Sequence, residues 1–145
     1  MEILVTFPGG QRIDAQAGEF TLRTDQSKEH GGEGSAPDPF TLFLASIGTC
    51  AGLYVVGFCK TRNIPTDDIR IVERSESDPK TGRLVRVMLE VQVPASFPSQ
   101  YRDGVARAAA ACKVKKTLFD PPEVTVTTSV ASADLSHSGA DTGCR

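Results

Sequence analysis

One segment of the chain, residues 39–59, carries no charged side chain and dominates what the protein can fold into. Its length alone would suit a membrane span, yet no cluster of lysine, arginine or aromatic residues flanks it. Gly48, Gly52 and Gly57 lower helix propensity, and such glycines are typical of places where another backbone approaches closely. Apolar residues on nearly every face predict a helix over residues 40–62 that is buried all round.

Stretches of alternating apolar and polar residues on either side of this helix are typical of strands. They predict a meander over residues 2–7, 11–16 and 19–23, a hairpin over 68–75 and 84–93, and a last strand over 123–130. A second helix over residues 98–111 and a short helical piece over 113–119 complete the order. Locally paired strands and segregated helices predict an α+β fold, with an antiparallel sheet packed on the long buried central helix. Because that helix has little polar surface, we expect a second copy to cover it in an intertwined homodimer.

The composition is that of an ordinary globular domain, with 39% hydrophobic and 23% charged residues. The formal net charge of −2 argues against a nucleic-acid partner, because proteins that bind nucleic acids present a basic surface. The first residues lack the basic and apolar regions of a signal peptide, so we expect a cytoplasmic protein with no membrane partner. Residues 1–131 are predicted to form one domain, and residues 132–145 a flexible C-terminal tail.

Two of the four cysteines lie in settings that suit thiol chemistry. Cys50 lies among small residues of the central helix, and Cys112 ends an alanine run and precedes three lysines within four residues. The thiolate is the reactive form, and cationic neighbours lower a thiol's pKa whereas apolar surroundings raise it. The cysteine spacings match no metal site, and no glycine-rich phosphate loop is present, so we expect neither a metal nor a cofactor.

Two stretches resemble the motifs of the OsmC/Ohr family: residues 31–50, which run from Gly-Gly through Ala-Pro-Asp-Pro-Phe to Cys, and residues 111–118. The order of elements is also similar, and the resemblance covers roughly residues 1–130. It implies a swapped homodimer with two sites at its interface, in which Cys50 attacks a hydroperoxide and Cys112 resolves the sulfenic acid as a disulfide. The implied substrate is a small apolar hydroperoxide, and an unidentified dithiol would be the reductant.

The chain departs from the peroxidase pattern of that family at two places. The family's glutamate, which holds a catalytic arginine, has no counterpart at Phe40 or Thr41. Arg12, which follows the Gly9-Gly10 turn, is the candidate arginine, and Lys113 replaces a proline. The chain therefore looks more like the branch of small OsmC-like redox proteins, with an organic hydroperoxide reductase-like activity.

A second interpretation treats the protein as a non-catalytic dimeric binding protein for an apolar small molecule, because free cysteines often pack as small hydrophobic residues. We assign Cys59 to the core and Cys144 to the tail. The histidines and the acids of the polar loop over residues 25–39 are expected to be solvated. We predict that Cys50 and Cys112 approach each other across the dimer site, with Cα atoms less than ~7 Å apart or nearly so.

Overall fold

The computed structural model describes residues 1–130. Antiparallel strands and segregated helices follow each other as the sequence predicts, so the α+β class is confirmed. A 3-10 turn precedes the second helix. The elements are β1 (Leu4–Gly9), β2 (Arg12–Ala17), β3 (Phe20–Thr24), α1 (Pro39–Lys60), β4 (Arg70–Ser77), β5 (Leu84–Gln92), α2 (Arg102–Ala110) and α3 (Lys113–Phe119). Cys144, His137 and the predicted tail lie outside the described residues.

The central helix α1 begins where its sequence provides a cap. The carboxylate of Asp38 accepts hydrogen bonds from the backbone N–H groups of Phe40 and Thr41, at 2.9 and 3.1 Å. Pro39 occupies the first turn, where its missing N–H costs nothing. These two local signals place the start of the helix, and they lie in the first half of the motif that contains Cys50.

Only one stripe of α1 is buried, so the prediction of a helix buried all round is wrong for a single chain. The buried stripe consists of Ile47, Ala51, Val55 and Cys59. The opposite face is bare, and Leu53 is 72% exposed. One chain simply lacks the elements to cover both sides of this helix. By length and composition alone, α1 is also long and apolar enough to cross a membrane.

The strands form two separate antiparallel sheets, not one. In the meander β1–β2–β3, Ala15 of β2 lies opposite Val5 of β1 and Leu22 of β3. The hairpin β4–β5 pairs over its whole length and packs against α1 and α2, whereas the meander has its main contacts within itself. The apolar side chains of β1 consequently remain uncovered, and Phe7 is 78% exposed.

The predicted last strand over residues 123–130 is absent: residues 121–130 have no regular structure. Their valines alternate as a strand would require, but Val126 is 90% exposed. A strand needs a neighbour to accept and donate its backbone hydrogen bonds. No edge within the described chain pairs with this segment, so its pattern does not yield a strand here.

The polar loop before α1 is ordered around one buried acid, Asp25, which we expected to be solvated. Asp25 is 1% exposed, and its carboxylate accepts hydrogen bonds from the backbone of Gln26, Glu33 and Ser35 and from the Ser35 hydroxyl. Gly32 passes so close to the Asp25 carboxylate that a Cβ there would clash. These hydrogen bonds, those from Ser35 first, hold the pKa of Asp25 below its usual range.

Candidate thiol site

The two cysteines that the sequence singles out lie on neighbouring helices. Cys50 is in the middle of α1 and is partly buried, whereas Cys112 follows α2 and is 0% exposed. Cys112 caps α3, because its sulfur accepts a hydrogen bond from the backbone N–H of Lys115 at 3.3 Å. A short helix thus begins at the second cysteine and faces the first.

The surroundings of Cys50 favour its thiolate. The backbone N–H of Val114 has the largest effect in lowering the pKa of Cys50, and partial burial opposes it. The Cys112 side chain, the Lys113 N–H and the Lys113 charge lower the pKa further. Hydrogen bonds to the charged form and a nearby positive charge both stabilise a thiolate. Cys50 is therefore the more reactive kind of cysteine, and the thiol of Cys112 lies near it.

The two thiols already lie near each other within one chain, whereas we expected them to approach across a dimer site. Small side chains let α1 and α2 pack closely: Ala51 and Ala109 are both buried in the core cluster that includes Cys112. Cys50 packs against this cluster from its edge. The roles of Cys50 and Cys112 as attacking and resolving thiols stay predictions.

Cys59 is a core residue, as the sequence indicates. It is completely buried, and burial raises the pKa of its thiol although Arg62 partly offsets this. An apolar pocket keeps a thiol protonated and unreactive. Residues 1–130 therefore contain two buried cysteines of different character: Cys59 lies inside the core, whereas Cys112 lies near the reactive thiol.

Arg12 is not part of the site within one chain. It lies at the start of β2, is exposed, and donates a hydrogen bond to the Pro8 carbonyl at 3.4 Å. It is not among the groups that act on the pKa of Cys50. Phe40, where the family resemblance would place an acid, stacks on Phe43 with ring centroids 5.6 Å apart.

A cavity of about 650 Å³ lies between α1, β5, α2 and α3. Its wall is mostly aliphatic, with two cations, Arg86 and Lys115. Lys115 also donates its backbone N–H to the Cys112 sulfur, so α3 belongs to both the cavity and the thiol site. The lining residues are Ile47, Leu84, Val85, Arg86, Val87, Leu89, Val91, Ala106, Ala109, Ala110, Lys115, Leu118 and Phe119.

One notable side chain near the central helix was not singled out by sequence: Glu73 of β4. One of its carboxylate oxygens lies so near Gly48 that a Cβ there would be 2.7 Å away. The other, Oε1, is buried and has no hydrogen-bond partner among the described residues. Burial raises the pKa of Glu73, and the Gly48 N–H partly offsets this. The alternation of the β4 sequence could have found Glu73, because it places this acid on the same strand face as the apolar Ile71.

Among residues 1–130 no three histidine, cysteine or acidic side chains are grouped as a metal site would need. The site is instead a pair of thiols, of which Cys50 is the one held in a setting that favours the anion. Such a pair can cycle between two thiols and a disulfide. That chemistry needs no resident group other than the cysteines themselves.

The fold is shared with solved structures of low sequence identity. A protein from Psychrobacter arcticus named for osmotic stress induction and a detoxification response is 18% identical, with a TM-score of 0.69 over 79% of this chain and 85% of that one. An organic hydroperoxide resistance protein, OsmC, from Legionella pneumophila is 21% identical, with a TM-score of 0.55 over 81% and 89%. One from Vibrio cholerae, with captopril bound in an active site, is 19% identical, with a TM-score of 0.57 over 81% and 84%.

No curated protein matches the sequence at a significant level. The family model described as OsmC-like protein matches residues 32–127, which contain α1, the hairpin, α2, α3 and both thiols of the site. That range is well over half of the chain, and it agrees with the shared fold. The protein therefore belongs to the OsmC-like family.

Proposed function

We propose that this protein reduces organic hydroperoxides through Cys50, with Cys112 as the resolving thiol. The observation that carries the proposal is that Cys50 packs against the core cluster that contains Cys112, in a setting that lowers the pKa of Cys50. The names of the Legionella and Vibrio proteins, both for organic hydroperoxide resistance, agree with it. A reducing compartment such as the cytoplasm would keep both thiols ready for the reaction.

The reaction balances with the two thiols and one external reductant. The Cys50 thiolate attacks the terminal peroxide oxygen, an S–O bond forms as the O–O bond breaks, and the leaving alkoxide takes a proton from water. Cys112 then attacks the sulfenic sulfur, an S–S bond forms, and the hydroxyl group leaves as water with the thiol proton. A dithiol gives two electrons and two protons to restore both cysteines, and is itself oxidised to a disulfide.

An apolar organic hydroperoxide fits the surroundings better than hydrogen peroxide does. The stacked rings of Phe40 and Phe43 lie in the first half of α1, on the N-terminal side of Cys50. The aliphatic cavity beside α3 offers about 650 Å³ for an organic group. Apolar walls with a few polar groups are typical of small-molecule sites.

The test combines peroxide consumption with mass spectrometry of the cysteines. With cumene hydroperoxide, the wild type should form a Cys50–Cys112 disulfide, and Cys50→Ser should consume no peroxide. Cys112→Ser should accumulate a sulfenic acid on Cys50 that dimedone traps. Cys59→Ala, which removes a buried thiol outside the pair, is the matched control and should keep the activity. Equal consumption by Cys50→Ser and the wild type would refute the assignment.

The same proposal includes a homodimer, in which the second copy covers surfaces that one chain leaves bare. These are the apolar side chains of β1, the exposed face of α1 around Leu53, and the valines of residues 121–130. Exposed apolar surface of this extent is typical of a protein interface. In an intertwined arrangement a strand of one copy would complete a sheet of the other, and the second copy would bring Arg12 to the thiols.

Light scattering after size exclusion tests the dimer. We expect a dimer at micromolar concentration, and Leu53→Lys should shift it towards monomer, because a charge would be buried in the interface. Asp67→Lys, at an exposed position outside α1, adds the same side chain and should leave the dimer intact. A wild type that is monomeric under these conditions would contradict the proposal.

The cavity also supports a second candidate function, in which the dimer binds an apolar small molecule and the cysteines do no chemistry. The missing acid at Phe40 and Thr41 and the aliphatic wall favour it. Native mass spectrometry of the purified protein would then show a bound organic molecule, while no hydroperoxide is consumed. A ligand-free protein that consumes cumene hydroperoxide would exclude this alternative.

A further inference from the structure

The two thiols of the site differ in how far solvent reaches them. Cys112 is 0% exposed and belongs to the buried core cluster, together with Ala51, Val105 and Ala109. Cys50 is partly exposed and packs against this cluster from outside. A second copy of the chain can only remove further surface, so Cys112 stays inaccessible in a dimer as well. Of the pair, only Cys50 lies where a dissolved molecule can reach its sulfur.

Hydrogen bonds also hold Cys112 in its buried place. Its sulfur accepts the backbone N–H of Lys115 at 3.3 Å, and its carbonyl accepts the N–H of Lys116 at 3.1 Å. The residue before it, Ala111, donates its N–H to the Ala108 carbonyl at 3.0 Å. To turn the Cys112 sulfur towards solvent, the chain would have to break these bonds and open the core packing. Burial and bonding therefore agree that this sulfur stays inside.

Thiol–disulfide exchange makes this difference in exposure decisive. The incoming thiolate attacks one sulfur of a disulfide from the side opposite the sulfur that leaves, so access selects the sulfur that is attacked. Attack on Cys112 would have to come through the core, whereas attack on Cys50 comes from outside the cluster. The hydroperoxide must also reach Cys50 in the proposed reaction, so the same approach is open to a reductant.

We propose that the external dithiol attacks only the Cys50 sulfur of the Cys50–Cys112 disulfide, so that the mixed disulfide forms on Cys50. The inference rests on the proposed function and assigns the point at which the reductant is bound covalently. The first thiolate of the dithiol bonds to Cys50 as the bond to Cys112 breaks, and Cys112 leaves as a thiolate that takes a proton from water. The second thiol then closes the dithiol's own disulfide, and Cys50 leaves as a thiolate.

The experiment locates the mixed disulfide in the full-length protein. Diamide, an azo compound that takes two electrons and two protons from a pair of thiols, forms the disulfide without a peroxide. Excess glutathione, a monothiol, then opens it, and acid stops the exchange by removing thiolates. N-ethylmaleimide in urea marks the freed thiol, and mass spectrometry of peptides reports each cysteine separately. Cys59→Ala, which removes a buried thiol outside the pair, is the control.

We expect glutathione on Cys50 and N-ethylmaleimide on Cys112, in the wild type and in Cys59→Ala alike. A second measurement covers the case in which the disulfide closes again too fast for glutathione to accumulate. In the reduced variants, the aromatic disulfide DTNB should label Cys112 of Cys50→Ser at least about 100-fold more slowly than Cys50 of Cys112→Ser, because Cys112 reacts only when the core opens. In urea the two rates should converge.

Glutathione on Cys112, or on both cysteines in similar amounts, would overturn the proposal. So would equal DTNB rates in the two folded variants, or a diamide-treated protein without a Cys50–Cys112 disulfide. Because diamide replaces the peroxide, the result stands apart from the peroxidase test. Peroxide consumption with glutathione on Cys112 would remove only this inference, whereas glutathione on Cys50 in a protein that consumes no peroxide would remove only the proposed function.

Discussion

Removing the charge of Glu73 should stabilise the protein at neutral pH. In the folded chain one carboxylate oxygen of Glu73 is buried without a hydrogen-bond partner, and the other faces the N–H of Gly48. Glu73→Gln keeps an oxygen that can accept the Gly48 N–H, but its side chain is neutral. Leaving a buried polar group unsatisfied costs about 1–3 kcal/mol and more when the group is charged, so the neutral amide loses less on burial than the carboxylate does. Because Glu73 is only partly buried, we expect the lower end, about 1 kcal/mol.

The pH dependence follows from the raised pKa of Glu73. Burial lifts it above the ordinary value of 4.5, so the folded chain binds this proton more tightly than the unfolded chain does. The stability due to Glu73 is complete below the unfolded pKa and is lost as pH rises through the folded pKa. The advantage of Glu73→Gln should therefore be largest at pH 7.5 and should vanish near pH 4, where wild-type Glu73 is protonated too.

Urea denaturation at a fixed protein concentration measures this difference. A gain of about 1 kcal/mol corresponds to a midpoint shift of about 0.5 M urea for a domain of this size. Glu76→Gln, on the same strand but exposed and paired with Arg86, is the control and should change stability by less than about 0.5 kcal/mol. A loss of stability in Glu73→Gln at pH 7.5 would refute the reasoning. The Glu73 carboxylate must then have a cationic partner that the neutral amide no longer attracts.

Three further predictions concern the loop, the helix packing and the cysteines. Asp25→Asn should increase hydrogen exchange in the loop that follows it, because a neutral amide is a weaker acceptor for the loop's N–H groups. Unchanged exchange would show that the loop keeps its structure without the Asp25 carboxylate. Gly104→Ala should cost about 1–3 kcal/mol, because the new Cβ would lie 2.8 Å from an aromatic ring of α1. In contrast, Gly57→Ala meets nothing within 4 Å and should unfold at the same or higher urea concentration. In the native chain Cys50 should be alkylated well before Cys59, whose pKa burial raises; equal rates at pH 8 would contradict the assignment of Cys59 to the core.

Local patterns in the sequence determined most of the elements of this protein. Alternation in the first 24 residues predicts the meander, and the cap at Asp38-Pro39 marks the start of the central helix. Cys50 and Cys112 were identified because each lies in a recognisable motif of neighbouring residues. Such features depend on interactions between residues close in sequence, so they can be read without knowledge of the fold.

Tertiary structure alone decided which of these elements meet and which surfaces remain bare. The proximity of the two thiols, the burial of Asp25 and the burial of one Glu73 oxygen depend on residues that only packing brings together. The segment over residues 123–130 has a strand's alternation yet forms none, because a strand also needs a neighbouring edge. Periodicity records which faces of an element are apolar, whereas the partner that covers each face is set by the arrangement of the whole chain.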